Sequence, residues 1–200
     1  MKTLLTTILI ILTLNVCGQD KHNHIQINNL TEVAGTEYVI ASINNMNKIY
    51  EIKDFFLLFI NTKSGETNQV DFPKDAIIGK MEQIKIDNLG INVILASART
   101  IDLYGKKGIG WDDPSQLIVL SPDGKKKTQL TDNDFSVRTW TVNYSTGTIV
   151  VAGHYGENNN KFSKMSSIKD NSEEKNEIHI YNLKTLKHIK KIAGISMHTE

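Results

Sequence analysis

Apolar residues in this chain come in short runs broken by Gly, Asn, Asp, Ser and Pro, a pattern that predicts strands joined by tight turns rather than helices. Three runs are near copies: Tyr38-Val39-Ile40-Ala41-Ser42, Val93-Ile94-Leu95-Ala96-Ser97 and Ile149-Val150-Val151-Ala152-Gly153. Their alanines stand 55 and 56 residues apart. That period is too long for a solenoid coil and suits one four-stranded antiparallel sheet with a generous loop. Three such units are predicted, over about 24–73, 80–132 and 137–193.

The second unit resolves into strands at Glu82 to Asp87, Ile91 to Ala98, Gln116 to Leu120 and Lys126 to Leu130. Its first pair turns through Asn88-Leu89-Gly90, where glycine supplies a positive φ; Gly35 and Gly147 hold the same place in the other units. The second pair turns at Ser121-Pro122-Asp123-Gly124, with counterparts at residues 61–66 and 182–187. The second strands are apolar almost throughout, which predicts burial on both faces by neighbouring sheets. The last strands, such as Glu66 to Gln69, are polar and belong at the rim. The small residue that recurs in each second strand marks a crowded place. Together these features predict an all-β, propeller-like fold of three consecutive blades.

The stretch Leu117-Ile118-Val119-Leu120-Ser121-Pro122-Asp123-Gly124, then Gln129-Leu130-Thr131-Asp132-Asn133 and Trp140, resembles the blade repeat of TolB-type six-bladed β-propellers. In that repeat an apolar strand enters an Asp-Gly turn, a Leu-Thr pair closes the outer strand, and a Trp opens the next blade. The other units depart from it: Val70-Asp71 replaces Leu-Thr, Ile84 or Ile86 replaces Trp, and Leu186 replaces the turn glycine. The resemblance implies architecture and little chemistry, because such repeats occur in protein-binding, polysaccharide-cleaving and peptidase-associated propellers. Three blades do not close a ring, since propellers have roughly four to eight. Two chains pairing into a six-bladed ring, a longer parent protein, and an open arc are the alternatives.

Residues 1–18 are expected to be a signal peptide, since Lys2 precedes an apolar run from Leu4 to Leu14 that is too short to span a bilayer. The expected domain is then 19–200. Cleavage after Gly18 predicts a periplasmic or secreted protein; lipidation at Cys17, the only cysteine, is the alternative and the one route to a membrane. Neither outcome leaves a thiol for a disulfide or a cysteine zinc site. With 23 Lys and Arg against 22 Asp and Glu, scattered along the chain, no basic stripe points to nucleic acid.

The connections from second to third strand share one face and are the longest loops: Asn44 to Asp54, Arg99 to Ser115 and His154 to Asn176. The middle loop gathers Arg99, Tyr104, Lys106, Trp111, Asp112 and Asp113, cations, carboxylates and aromatics suited to gripping a polar ligand or a partner's loop. His154 and Tyr155 leave the equivalent strand of the third unit and join that candidate set. No catalytic or metal set is predicted. His179 and His188 belong to other strands, Asp132-Asn133-Asp134 lacks the glycine and distal glutamate of a calcium loop, and no nucleophile elbow, zinc helix or phosphate loop is present. No cofactor is called for. The leading expectation is an exported noncatalytic module that binds a protein or glycan through the long-loop face. The alternatives are a propeller-type lyase or hydrolase, with Arg99 and His154 meeting a charged substrate, and a structural envelope protein.

Overall fold

A computed structural model describes residues 24–46, 52–105, 108–155 and 176–193. Residues 1–23, with the expected signal peptide and Cys17, as well as Lys106 and the segment 156–175, lie outside the described residues. Three four-stranded antiparallel sheets follow one another, each with its strands in chain order. The first holds β1 (His24–Glu32), β2 (Tyr38–Met46), β3 (Ile52–Asn61) and β4 (Thr67–Asp71). The middle sheet holds β5 (Ile77–Ile86), β6 (Ile91–Arg99), β7 (Gln116–Leu120) and β8 (Lys127–Gln129). The third holds β9 (Phe135–Asn143), β10 (Thr148–Tyr155), β11 (Asn176–Asn182) and β12 (Lys187–Ala193). The fold is therefore the all-β, three-blade arrangement that the repeat predicts. Strand β5 starts earlier than expected because its pairing with β6 skips Gly79 and Lys80 and resumes upstream at Ile78.

Successive residues of a strand face opposite sides, and the middle sheet uses both. Ile94, Ala98, Ile118 and Leu120 pack with Ile40, Leu57 and Phe59 of the first sheet. Leu95, Leu117 and Val119 pack with Phe135, Ile149, Val151 and Tyr181 of the third. Each fully buried Ile or Leu contributes about 1.5–3 kcal/mol, so these two seams hold the stack together. Only the middle sheet packs against a sheet on each side, since the first and third each have one sheet neighbour among the described residues. In β2, however, Ala41 and Ile43 on the far face are buried as well as Ile40 on the near one.

The turns repeat faithfully. Gly35, Gly90 and Gly147 have φ of 74°, 62° and 65° between the first two strands of each sheet. Between the last two strands the left-handed residue is Gly65, Gly124 and, in the third sheet, Leu186 at φ 57°. A non-glycine residue there costs about 1–2 kcal/mol. Leu186 is held by its N–H to the Asn182 carbonyl at 2.8 Å, while Asn182 Oδ1 accepts from the Lys184 and Thr185 N–H groups, and its side chain packs on the second seam.

Counting from the turn glycines corrects the repeat. Ala41 and Ala96 stand six residues after Gly35 and Gly90, and the residue six after Gly147 is Gly153, not Ala152. A one-residue offset reverses the face of a strand residue. Ala41 and Ala96 are buried, whereas Ala152 is half-buried on the open side of the third sheet. The crowded position is Gly153, where a Cβ would collide with the Ser136 carbonyl oxygen and lie 2.8 Å from the Phe135 ring. Gly153→Ala is expected to lose about 1–3 kcal/mol in urea unfolding through overpacking. Ala152→Ser should stay within about 0.5 kcal/mol of the parent, and the reverse order would contradict this register.

Candidate functional site

The first two sheets do not close along their full length. At the end away from the long loops Gln83 pins them, its Oε1 accepting from the Ala34 N–H at 2.8 Å and its Nε2 donating to the Ala34 carbonyl at 3.0 Å. Toward the long-loop face both leading strands bulge: β1 skips Asn28 in its pairing with β2, and β5 skips Gly79 and Lys80. Bulges bend a strand and re-aim side chains. The result is a cleft in two connected parts that share Asn28, Phe55 and Ile78. The inner part, about 350 Å³, runs between Thr31, Ser42, Met81 and Gln83. The mouth, about 510 Å³, is lined by Asn44, Phe55, Asp75, Ile77 and Trp111.

Two features of the mouth are unusual. Asn44 Oδ1 is buried without a hydrogen-bond partner among the described residues, and a buried acceptor left unpaired is costly. Asp75 takes a left-handed conformation at φ 63°, which Asp tolerates better than most residues. Its carboxylate lies beside Gly108, where a Cβ would stand 3.1 Å from Asp75 Oδ2.

The loop that carries Trp111 is built from within. Asp113 is 4% exposed and organises it, with Oδ1 accepting from the Leu103 N–H at 2.9 Å and Oδ2 from the Gly110 N–H at 2.8 Å. Arg99 Nε donates to the Asp113 carbonyl at 3.0 Å, and its guanidinium lies 5.2 Å from the centre of the Trp111 ring. Buried Gln116 anchors the base: Oε1 accepts from Thr100, and Nε2 donates to the Pro114 and Asn133 carbonyls. Trp111 is thereby held at the cleft mouth with 76% of its surface exposed. Asp112 is exposed and Tyr104 half-buried in the same loop, outside the lining of the cleft. Of the predicted site residues, Arg99, Trp111 and Asp113 therefore act as one unit, with Asp113 as its internal brace.

His154 and Tyr155 stand elsewhere. His154 faces the open side of the third sheet, where Arg138 Nε donates to its Nδ1 at 3.1 Å; the sheet itself separates it from Arg99. Tyr155 packs edge-on against Phe135 and donates to Asp132 Oδ2 at 3.1 Å. It borders a polar seam in which His179 lies between Glu177 Oε2 and His188 Nε2, each at 3.2 Å, and Lys191 meets Glu177 at 2.7 Å. Burial pushes the Glu177 carboxyl up, but hydrogen bonds from Lys191 and His179 outweigh it and hold the group below the usual carboxylate range. Among the described residues no group of three His, Cys, Asp or Glu is placed to hold a metal ion. The lining residues Asn28, Asn44, Phe55 and Asp75 escape sequence reasoning; the available signal is the polar pair Asn44-Asn45 near the end of the mainly apolar strand β2.

Burial, the Asp132 hydrogen bond and the charges of Asp132, Glu177 and Asp134 push the Tyr155 hydroxyl up to about 12; burial and Asp132 do the same for Tyr181. Both groups are raised above the unfolded value of about 10, so their contribution to stability is full below pH 10 and lost between about pH 10 and 12. Ultraviolet titration of the native protein should show two late-ionising tyrosines that titrate near pH 10 in denaturant. Tyr155→Phe should remove one of them, and an unchanged late fraction would contradict the assignment.

No protein-family model matches the chain, and no curated protein matches it. Among solved structures it is similar to the acylaminoacyl peptidase of Pyrococcus horikoshii, with 10% identity and a TM-score of 0.46 over 85% of this chain and 25% of that one. It is also similar to the β-propeller domain of the Trilobed protease from Pyrococcus furiosus, which has an open velcro topology: 10% identity and a TM-score of 0.43, over 88% of this chain and 45% of that one. The chain thus spans a quarter to under a half of the chains it matches.

Proposed function

We propose that this chain is an exported noncatalytic binding module that takes a glycan at the mouth of the cleft between its first two sheets. The observation that carries the reading is the placement of the exposed Trp111 ring beside the unpaired acceptor of Asn44 and the carboxylate of Asp75 in one cavity of about 510 Å³. A sugar ring offers an apolar face of C–H groups to stack on an indole and a rim of hydroxyl donors for amide and carboxylate oxygens. Phe55 and Ile77 supply the apolar floor usual in ligand sites. Export rests on the leader, with Lys2 ahead of the run from Leu4 to Leu14. Arg99 and His154 lie on separate surfaces, which leaves the lyase or hydrolase reading without a shared pocket for its two residues.

Binding of the full chain to an array of neutral and acidic oligosaccharides tests the proposal. Retention of at least one glycan is expected, and Trp111→Ala should weaken it by about tenfold or more, equivalent to about 1.4 kcal/mol, with the thermal midpoint unchanged. Asn44→Asp should weaken the same glycan by less than Trp111→Ala. A blank array, or binding that survives Trp111→Ala, would reject the glycan assignment.

A further inference from the structure

Among the described residues two sheet faces have no sheet packed on them. On the first sheet, cross-strand triplets Ile27, Ile43, Phe56 and Leu30, Ala41, Leu58 form a continuous apolar face. Its exposure is concentrated in the edge strand, where Ile27 and Leu30 are 61% and 63% exposed, while Ala41 and Ile43 beside them are buried and Phe56 and Leu58 half-buried. None of the six belongs to either core cluster. On the third sheet the open face carries Val150 with Ile180, and Ala152 with Ile178 and Ile192. These residues are likewise outside both clusters.

The two open faces are the two halves of a contact that the chain already makes twice. Ala41 of the first sheet, Ala96 of the middle and Gly153 of the third share one register position after their turn glycines. In the middle sheet the face of Ala96, which carries Ile94 and Ala98, receives the first sheet; in the third the face of Gly153, which carries Ile149 and Val151, receives the middle one. In the first sheet the corresponding face has nothing to receive. The third sheet is left with the kind of face that the other two use to pack forward. Charge is complementary as well. Glu32 and Asp71 flank the open face of the first sheet, and Lys187 and Lys190 that of the third.

We propose that a second copy of this chain covers both faces, the first sheet of each copy packing on the third sheet of the other about a twofold axis. Two contacts then form at once and neither apolar face stays in water, whereas a relation that failed to close would propagate as a filament. The proposal is independent of the glycan site, which lies within one copy.

Size-exclusion chromatography with light scattering on the full chain, over about 1–100 µM, reads the state directly, because a dimer responds to concentration. Twice the chain mass of 22.5 kDa is expected. Leu30→Lys, at an exposed position, should give a monomer with unchanged circular dichroism. Asp71→Lys and Lys190→Asp should each raise the dimer dissociation constant by about tenfold or more, and the two together in one chain should recover most of the loss. A monomer at every concentration, which a further sheet of a longer chain covering these faces would explain, overturns the proposal. So does a Leu30→Lys protein that remains dimeric, or a mass that climbs past the dimer with concentration.

Discussion

Burial of the middle sheet on both faces is the constraint from which the rest of the molecule follows. Strands β6 and β7 put Ile94, Ile118 and Leu120 into one seam and Leu95, Leu117 and Val119 into the other. Strand β7 is buried at every position. With side chains committed to both faces, it cannot slip by one residue without exchanging the two seams, so its register is fixed. The outer sheets are organised against it by turns that meet its neighbours closely. A Cβ on Gly124 would enter the Phe59 ring of the first sheet, and one on Gly147 would lie 2.6 Å from Ile91 of the middle sheet.

The cleft is where this packing is interrupted. Gln83 holds the first two sheets together at one end, and the bulges at Asn28 and Gly79–Lys80 part them at the other. The loop after β6 then projects Trp111 over the opening, braced by Asp113 and Gln116. An aromatic held by its own loop at a polar opening fits the proposed recognition role, because a geometry that exists before the ligand arrives lowers the ordering cost of binding. On the other side of the middle sheet the seam is continuous through Phe135, His179 and Tyr181. There Glu177, His179, His188 and Lys191 are engaged with one another, while the buried Trp140 Nε1 has no partner among the described residues.

The strands and turns were legible because their chemistry is local. Short apolar runs, Gly35, Gly90 and Gly147, and the Pro-Asp-Gly turn act within a few residues. Even Leu186, out of place as a turn residue, falls where the repeat required a left-handed conformation. The one-residue slip between Ala152 and Gly153 is visible in the count from the turn glycines, six residues to Ala41 and Ala96 but five to Ala152, and the collision that a Cβ at Gly153 would make with Ser136 gives its spatial reason. The loop face was legible as a place, and Trp111 and Arg99 within it. The lining from Asn28, Asn44, Phe55 and Asp75 was not, since a cavity between two sheets depends on bulges and approach distances that no local pattern encodes. For the same reason Asp113 reads as a presented carboxylate in sequence and as a buried brace in space.

Amide hydrogen exchange resolved along the chain tests the central claim most directly, because protection follows the free energy of opening each region. If the doubly buried middle sheet holds the stack, amides of β6 and β7 exchange last and only through global unfolding, while β12, exposed at every residue, exchanges first. Slower exchange in β2 and β3, or in β10 and β11, than in β6 and β7 would contradict it and move the foundation of the fold to an outer sheet.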